Sequence, residues 1–107
     1  MRFLNSKLKI ENTILQNIAK KYGTPAYCYS YKQLRENIND FKKNFKSISP
    51  LICFAIKSNT NLNLIKEIKK FGLGADVVSM GELMLALKAG ISPVSYTHLR
   101  AHETLIY

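Results

Sequence analysis

Six apolar residues in a row, Leu51, Ile52, Cys53, Phe54, Ala55 and Ile56, stop abruptly at Lys57, Ser58 and Asn59. A run this short, with β-branched and aromatic members, predicts a strand over 51–56 covered on both faces, the habit of a parallel sheet. Alternation along a strand puts Lys57 on the face of Ala55 and Cys53, with Ile52, Phe54 and Ile56 on the other. Small side chains beneath the lysine predict a close-packed interior on that side and helices on the bulky side. Ser58, Asn59 and Thr60 offer N-caps for a following helix. A lysine at the carboxyl end of a buried parallel strand sits where α/β folds place their chemistry.

The flanking sequence supplies the rest of such a unit. Downstream, Leu64, Ile65 and Ile68 form the apolar stripe of a helix over 62–71, ended by Gly72 and Gly74. A second short strand follows over 75–78. A further helix has Leu83, Met84 and Leu87 apolar and is closed by Gly90. Strand, helix, strand, helix at this spacing is a βαβα unit, which demands a parallel sheet and a right-handed crossover. Upstream, Asn12 or Thr13 is expected to cap a helix with Ile14, Leu15, Ile18 and Tyr22 apolar, stopped by Gly23. Thr24 to Tyr29 reads as a short strand whose first turn tolerates Pro25. Ser30 caps a second helix, with Leu34, Ile38, Phe41 and Phe45 on one face. Ser47, Ile48, Ser49 and Pro50 break it. Residues 1–10 mix lysines with apolar positions and carry no firm pattern.

The chain has 107 residues, enough for one small domain, whereas a closed (β/α)8 barrel takes about 250. Its apolar share of 47% is ordinary for a globular protein. No stretch nears the roughly 20 apolar residues of a membrane span, and no signal-peptide core opens the chain, so a cytoplasmic location without a membrane partner is expected. Cys28 and Cys53 are expected as reduced core thiols; they lack metal-site spacing, and no metal is expected. The net charge of +9 raises nucleic acid as a partner. The lysines, however, fall on several helix faces, Lys20 and Lys21, Lys42, Lys43 and Lys46, then Lys66, Lys69 and Lys70. No aromatic RNA-binding motif accompanies them, so solvated faces and no nucleic-acid partner are expected.

Ala55-Ile56-Lys57-Ser58-Asn59, followed by Asn61, resembles the lysine motif of the alanine-racemase-like, pyridoxal-phosphate-dependent decarboxylases. Gly72-Leu73-Gly74-Ala75-Asp76-Val77-Val78-Ser79-Met80-Gly81-Glu82-Leu83 resembles the second motif of the same family. The resemblance covers about residues 23–93, and within the family it is strongest to members that decarboxylate meso-diaminopimelate to lysine. It implies an α/β fold, a partial (β/α)8 TIM-type barrel holding only the first two βα units. The expected division is a leader and helix over 1–24, the start of the cofactor-binding barrel over 25–93, and a tail over 94–107. The implied cofactor is pyridoxal 5'-phosphate, the implied ligand a small amino-acid substrate, and the implied full-length assembly a homodimer. Such a short piece of the barrel, without the phosphate loop and the partner for the pyridine nitrogen, is expected to be inactive alone.

By the resemblance, Lys57 is the residue that condenses with the cofactor's aldehyde. A lysine suits that role because burial favours its neutral amine; the plain alternative is a lysine that reaches from a strand end into solvent. Asp76 lies 19 positions further on, on the neighbouring strand, where a carboxylate could orient the lysine. It equally suits a turn or a cap. Ser79 and Glu82 read as a helix capping box, and Gly72 and Gly74 as turn glycines. Beyond Pro93 the expected third apolar strand is missing, and residues 94–107 resemble translated adapter sequence. They are expected to pack poorly as a non-native tail. His98 and His102 have the spacing of metal ligands on a helix, without an evident third ligand. Two other readings stay open: a racemase or cofactor-carrying barrel, and a small basic binding module.

Overall fold

The N-terminal residues, which carried no firm pattern, form a meander built on two tight turns. Strands β1 (Arg2–Leu4) and β2 (Lys7–Ile10) pair antiparallel with Leu4 opposite Lys7. Only Asn5 and Ser6 lie between them, both at positive φ, 51° and 61°. That left-handed pair matches the twist a two-residue hairpin needs, and asparagine tolerates it. Strand β3 (Thr13–Ile14) returns along β2, with Ile10 opposite Thr13 and Glu11 at φ 55° in the loop. The computed structural model describes residues 1–92 and the backbone of 96–98. It divides into two units, Met1–Lys46 and Ser47–Tyr107.

Helix α1 (Leu15–Tyr22) follows β3 directly. Its N-cap is Ile14, which offers no side-chain cap, so the expected caps Asn12 and Thr13 are corrected: the hairpin takes those residues. Gly23 ends the helix at φ 86°, its N–H donating to the Ala19 carbonyl. Residues 24–29 are not a strand. They carry no strand pairing, and Ala26, Tyr27, Cys28 and Tyr29 are all exposed. Cys28 is therefore not a core thiol. Helix α2 (Tyr31–Asn44) starts as expected at Ser30, whose Oγ accepts from the Gln33 N–H at 3.0 Å. Ile38 is buried; Phe41 and Phe45 stack on each other with centroids 4.7 Å apart but remain largely exposed. A 3-10 turn, Lys46–Ile48, ends the helix.

In the second unit, strand β4 (Cys53–Ala55) pairs parallel with β5 (Gly74–Val77), Ala55 opposite Asp76. Between them runs α3 (Leu62–Lys70). After β5 comes α4 (Met80–Lys88). Their buried residues meet on one face of the sheet: Ile65 of α3, Ala86 of α4, Ala75 and Val77 of β5, with Ile56, Ala89 and Ile91. Phe54 packs against this cluster, while its neighbours Cys53 and Ala55, pointing to the other face, are half-buried.

Four expectations change here. The lysine strand is shorter than 51–56, because the backbone leaves the strand at Ile56 and turns as a 3-10 helix over Ile56–Ser58. The N-cap of α3 is Asn61, not Ser58, Asn59 or Thr60; its Oδ1 accepts from the N–H groups of Asn63 and Leu64 at 2.9 and 3.3 Å. In α4 Ala86 is buried, as is Ala89 at its C-cap, and Leu83 of the expected stripe packs against the cluster, while Met84 and Leu87 are exposed, Met84 at 63%. The alanines let the helix approach a sheet whose own residue there, Ala75, is also small. Finally, a third strand does follow: β6 (Tyr96–His98) runs parallel to β5, Asp76 opposite Thr97. The remainder of the tail, His102 included, lies outside the described residues.

Candidate active site

Lys57 is the middle residue of the 3-10 turn Ile56–Ser58 at the carboxyl end of β4. The turn is tied on each side of it. Upstream, Ile56 is fully buried, at 0% exposure, in the cluster under α3 and α4. Downstream, the Ser58 hydroxyl donates to the Ala55 carbonyl at 2.7 Å, and the Asn59 N–H donates to the Ile56 carbonyl at 3.1 Å. Asn59 Oδ1 in turn accepts from the Asn61 N–H at 3.0 Å, and Asn61 caps α3. Ser58, Asn59 and Asn61 thus spend their polar side chains on a stiff link between strand and helix, with the Lys57 side chain exposed beside it.

The Lys57 side chain is exposed. That corrects the expectation of a buried amine: departure from the strand at Ile56 gives the buried place to the isoleucine and turns the lysine outward. Asp76 stands on β5 directly opposite Ala55, two residues before Lys57, and is half-buried. It shares the sheet face of Cys53 and Ala55, the face opposite the helix-packed core. The parallel pairing therefore places Asp76 on the strand next to the one whose carboxyl end leads into the Lys57 turn.

Ser79 and Glu82 cap the start of α4 as their spacing predicts, although the glutamate reaches the N–H one residue before the serine of a strict capping box. Ser79 Oγ accepts from the Glu82 N–H at 3.1 Å, and Glu82 Oε2 accepts from the Val78 N–H at 2.8 Å. Gly72, at φ 80°, and Gly74, whose N–H donates to the Ile52 carbonyl at 2.9 Å, carry the chain from α3 into β5. Among the described residues no group of three His, Cys, Asp or Glu side chains could hold a metal ion. One residue the sequence reading passed over is Glu11. Its carboxylate accepts from the Lys32 N–H at 2.7 Å and from the Ser30 hydroxyl at 3.3 Å, capping α2 from the hairpin. Its partner residues are 19 and 21 positions away, beyond the reach of a local capping pattern.

Residues 31–103 match the family model described as the pyridoxal binding domain of pyridoxal-dependent decarboxylases. A diaminopimelate decarboxylase of Aquifex aeolicus is 42% identical over 93 residues, 87% of this chain and 22% of the relative. A crystal structure of an Aquifex aeolicus protein superposes with a TM-score of 0.86 at 40% identity, covering 91% of this chain and 24% of that one. Diaminopimelate decarboxylase from Helicobacter pylori, solved in complex with L-lysine, superposes with a TM-score of 0.73 at 34% identity, over 78% of this chain and 21% of its own. The chain spans about a fifth of the length of the curated relatives it matches.

Proposed function

The chain belongs to the pyridoxal-dependent decarboxylases, through their pyridoxal-binding domain, and on that footing we propose that it is a segment of a diaminopimelate decarboxylase in which Lys57 holds the cofactor. The observation that carries the assignment is the placement of Lys57. It is an exposed amine on a pinned turn at the carboxyl end of a parallel strand, beside the strand of Asp76. This donor set fits the aldehyde end of pyridoxal phosphate: a primary amine to tether it and a carboxylate one strand away.

When bound, the cofactor supplies an electron sink for the α-carbon from which carbon dioxide departs. The residues of this chain do the holding. Lys57 provides the covalent tether through its neutral amine. Ile56, fixed in the core, sets where the tether begins. Asp76, opposite Ala55 on the adjoining strand, orients the lysine. The finer architecture follows from strand order. Strands β4, β5 and β6 neighbour each other in chain order, all parallel, and α3 and α4 pack on the same face. That is the arrangement of consecutive units in a (β/α)8 barrel.

The substrate of the reading is meso-diaminopimelate and the products are lysine and carbon dioxide, as the relatives' name implies. The family resemblance extends it to a cytoplasmic homodimer. The exposed lysines stand on three separate helices, Lys20 and Lys21 on α1, Lys42 and Lys43 on α2, Lys66, Lys69 and Lys70 on α3. Such dispersal favours solvated faces over a nucleic-acid surface. The test is Lys57→Ala in a full-length enzyme carrying this segment. Cofactor capture and carbon dioxide release from meso-diaminopimelate are expected to vanish together while the circular dichroism spectrum stays native. Retained turnover would sink the assignment.

A further inference from the structure

The turn that presents Lys57 is closed by a side chain, and the closing bond arches over the lysine itself. Ser58 Oγ donates to the Ala55 carbonyl at 2.7 Å, so that Ile56 and Lys57 lie inside the loop it forms. The backbone of the 3-10 turn overlaps it, with the Asn59 N–H donating to the Ile56 carbonyl at 3.1 Å. The Ala55 carbonyl is the last of β4. Tying it to residue 58 ends the strand there and bends the chain before it can continue alongside β5. Ile56 is immobilised by burial, so the direction in which Lys57 leaves the backbone depends on how tightly the turn closes behind it. We propose that Ser58 is a positioning residue: its hydroxyl holds the 3-10 turn in the one geometry that aims the Lys57 amine at an incoming aldehyde. The inference rests on the reading of Lys57 as the cofactor-holding lysine and deepens it.

The physical reason is orientation. An amine held in one approach direction reacts faster than the same amine on a loose loop, because the ordering has been done in advance. Removing the hydroxyl loses a charge-neutral hydrogen bond and loosens the turn that carries the lysine. Lys57 itself keeps its chemistry, so the effect acts through position alone. Threonine carries the same hydroxyl on the same carbon and preserves the bond.

The experiment uses a full-length enzyme carrying this segment, stripped of cofactor, with pyridoxal 5'-phosphate as the probe and borohydride as the trap. The Lys57 Nζ attacks the aldehyde carbon, the carbonyl oxygen leaves as water, and hydride reduces the resulting C=N bond to a stable secondary amine. Peptide mapping reads the labelling rate of Lys57 against Lys42 and Lys66 in the same digest. In the parent sequence Lys57 is expected to label faster than either. Ser58→Ala is expected to lower the Lys57 rate about fivefold, the scale of one net hydrogen bond, with Lys42 and Lys66 unchanged. Ser58→Thr is expected to restore it. Should Ser58→Ala lose its native circular dichroism, Ser58→Cys, with similar volume and a weak donor, takes its place. An unchanged Lys57 ratio in the folded variant, or equal losses for alanine and threonine, would overturn the role of the hydroxyl while leaving Lys57 as the tether. A parent chain whose Lys57 labels no faster than Lys42 and Lys66 would instead overturn the functional reading, and this inference with it.

Discussion

Lys57 has a fixed backbone and a free side chain, and its two neighbours divide that work. Ile56 is the anchor. Its truncation to alanine opens a cavity among Ile65, Ala75, Val77 and Ile91, and Ile56→Ala is expected to cost about 2–5 kcal/mol, measured by urea denaturation. Lys57→Arg keeps length and charge, yet a guanidinium stays protonated and cannot condense with an aldehyde. In the full-length enzyme it is expected to remove cofactor capture as thoroughly as Lys57→Ala, with the melting temperature unchanged. Covalent capture at residue 57 in the arginine variant would contradict the tether assignment. The sequence made Lys57 and Asp76 visible because a strand ending in a lysine and a strand carrying an aspartate both have a marked local pattern. What it could not convey was the turn at Ile56. An isoleucine after five apolar residues reads as one more strand position, and only the packing under α3 makes it the first residue of a turn.

At the level of elements, capping was legible wherever one polar side chain stands alone before an apolar helix, as Ser30 does before α2 and Ser79 before α4. Before α3 the sequence offers Ser58, Asn59, Thr60 and Asn61 in succession, and propensity alone does not choose. The structure assigns different duties to three of them: Ser58 closes the turn, Asn59 holds Asn61, and Asn61 caps the helix. Asn61→Ala is accordingly expected to destabilise the fold by about 1 kcal/mol, and Thr60→Ala by much less; equal losses in thermal melts would refute this division. Helix α4 is only partly legible, for a different reason. Apolar residues surround it, from Met80 through Ala89, so no period selects a face. The packed side holds Leu83, Leu85, Ala86 and Ala89, while Met80, Met84 and Leu87 are exposed. The N-terminal meander was legible only in its turn, since strands of two to four residues are too short to establish alternation.

Across the whole molecule, the described residues fall into two units with a boundary at Lys46 and Ser47. Residues 41–51 are exposed throughout, so trypsin under native conditions is expected to cut first at Lys46, before Lys70 or Lys88. Early cleavage inside α3 or α4 would show that the boundary is not the weakest point. The units also differ in how long each must wait to form. In the meander, Leu4 meets Lys7 across two residues, so each strand can pair almost as soon as it exists. Strand β4 cannot. Ala55 pairs with Asp76, roughly twenty residues further along. During synthesis at ~5–20 residues per second, the apolar run around Phe54 emerges from the ribosome about 1–4 s before its partner strand. For that interval its edge is open to any other extended chain nearby. The parallel pairing that brings Lys57 beside Asp76 therefore sets a delay in biosynthesis, the interval in which a chaperone binding β4 would act.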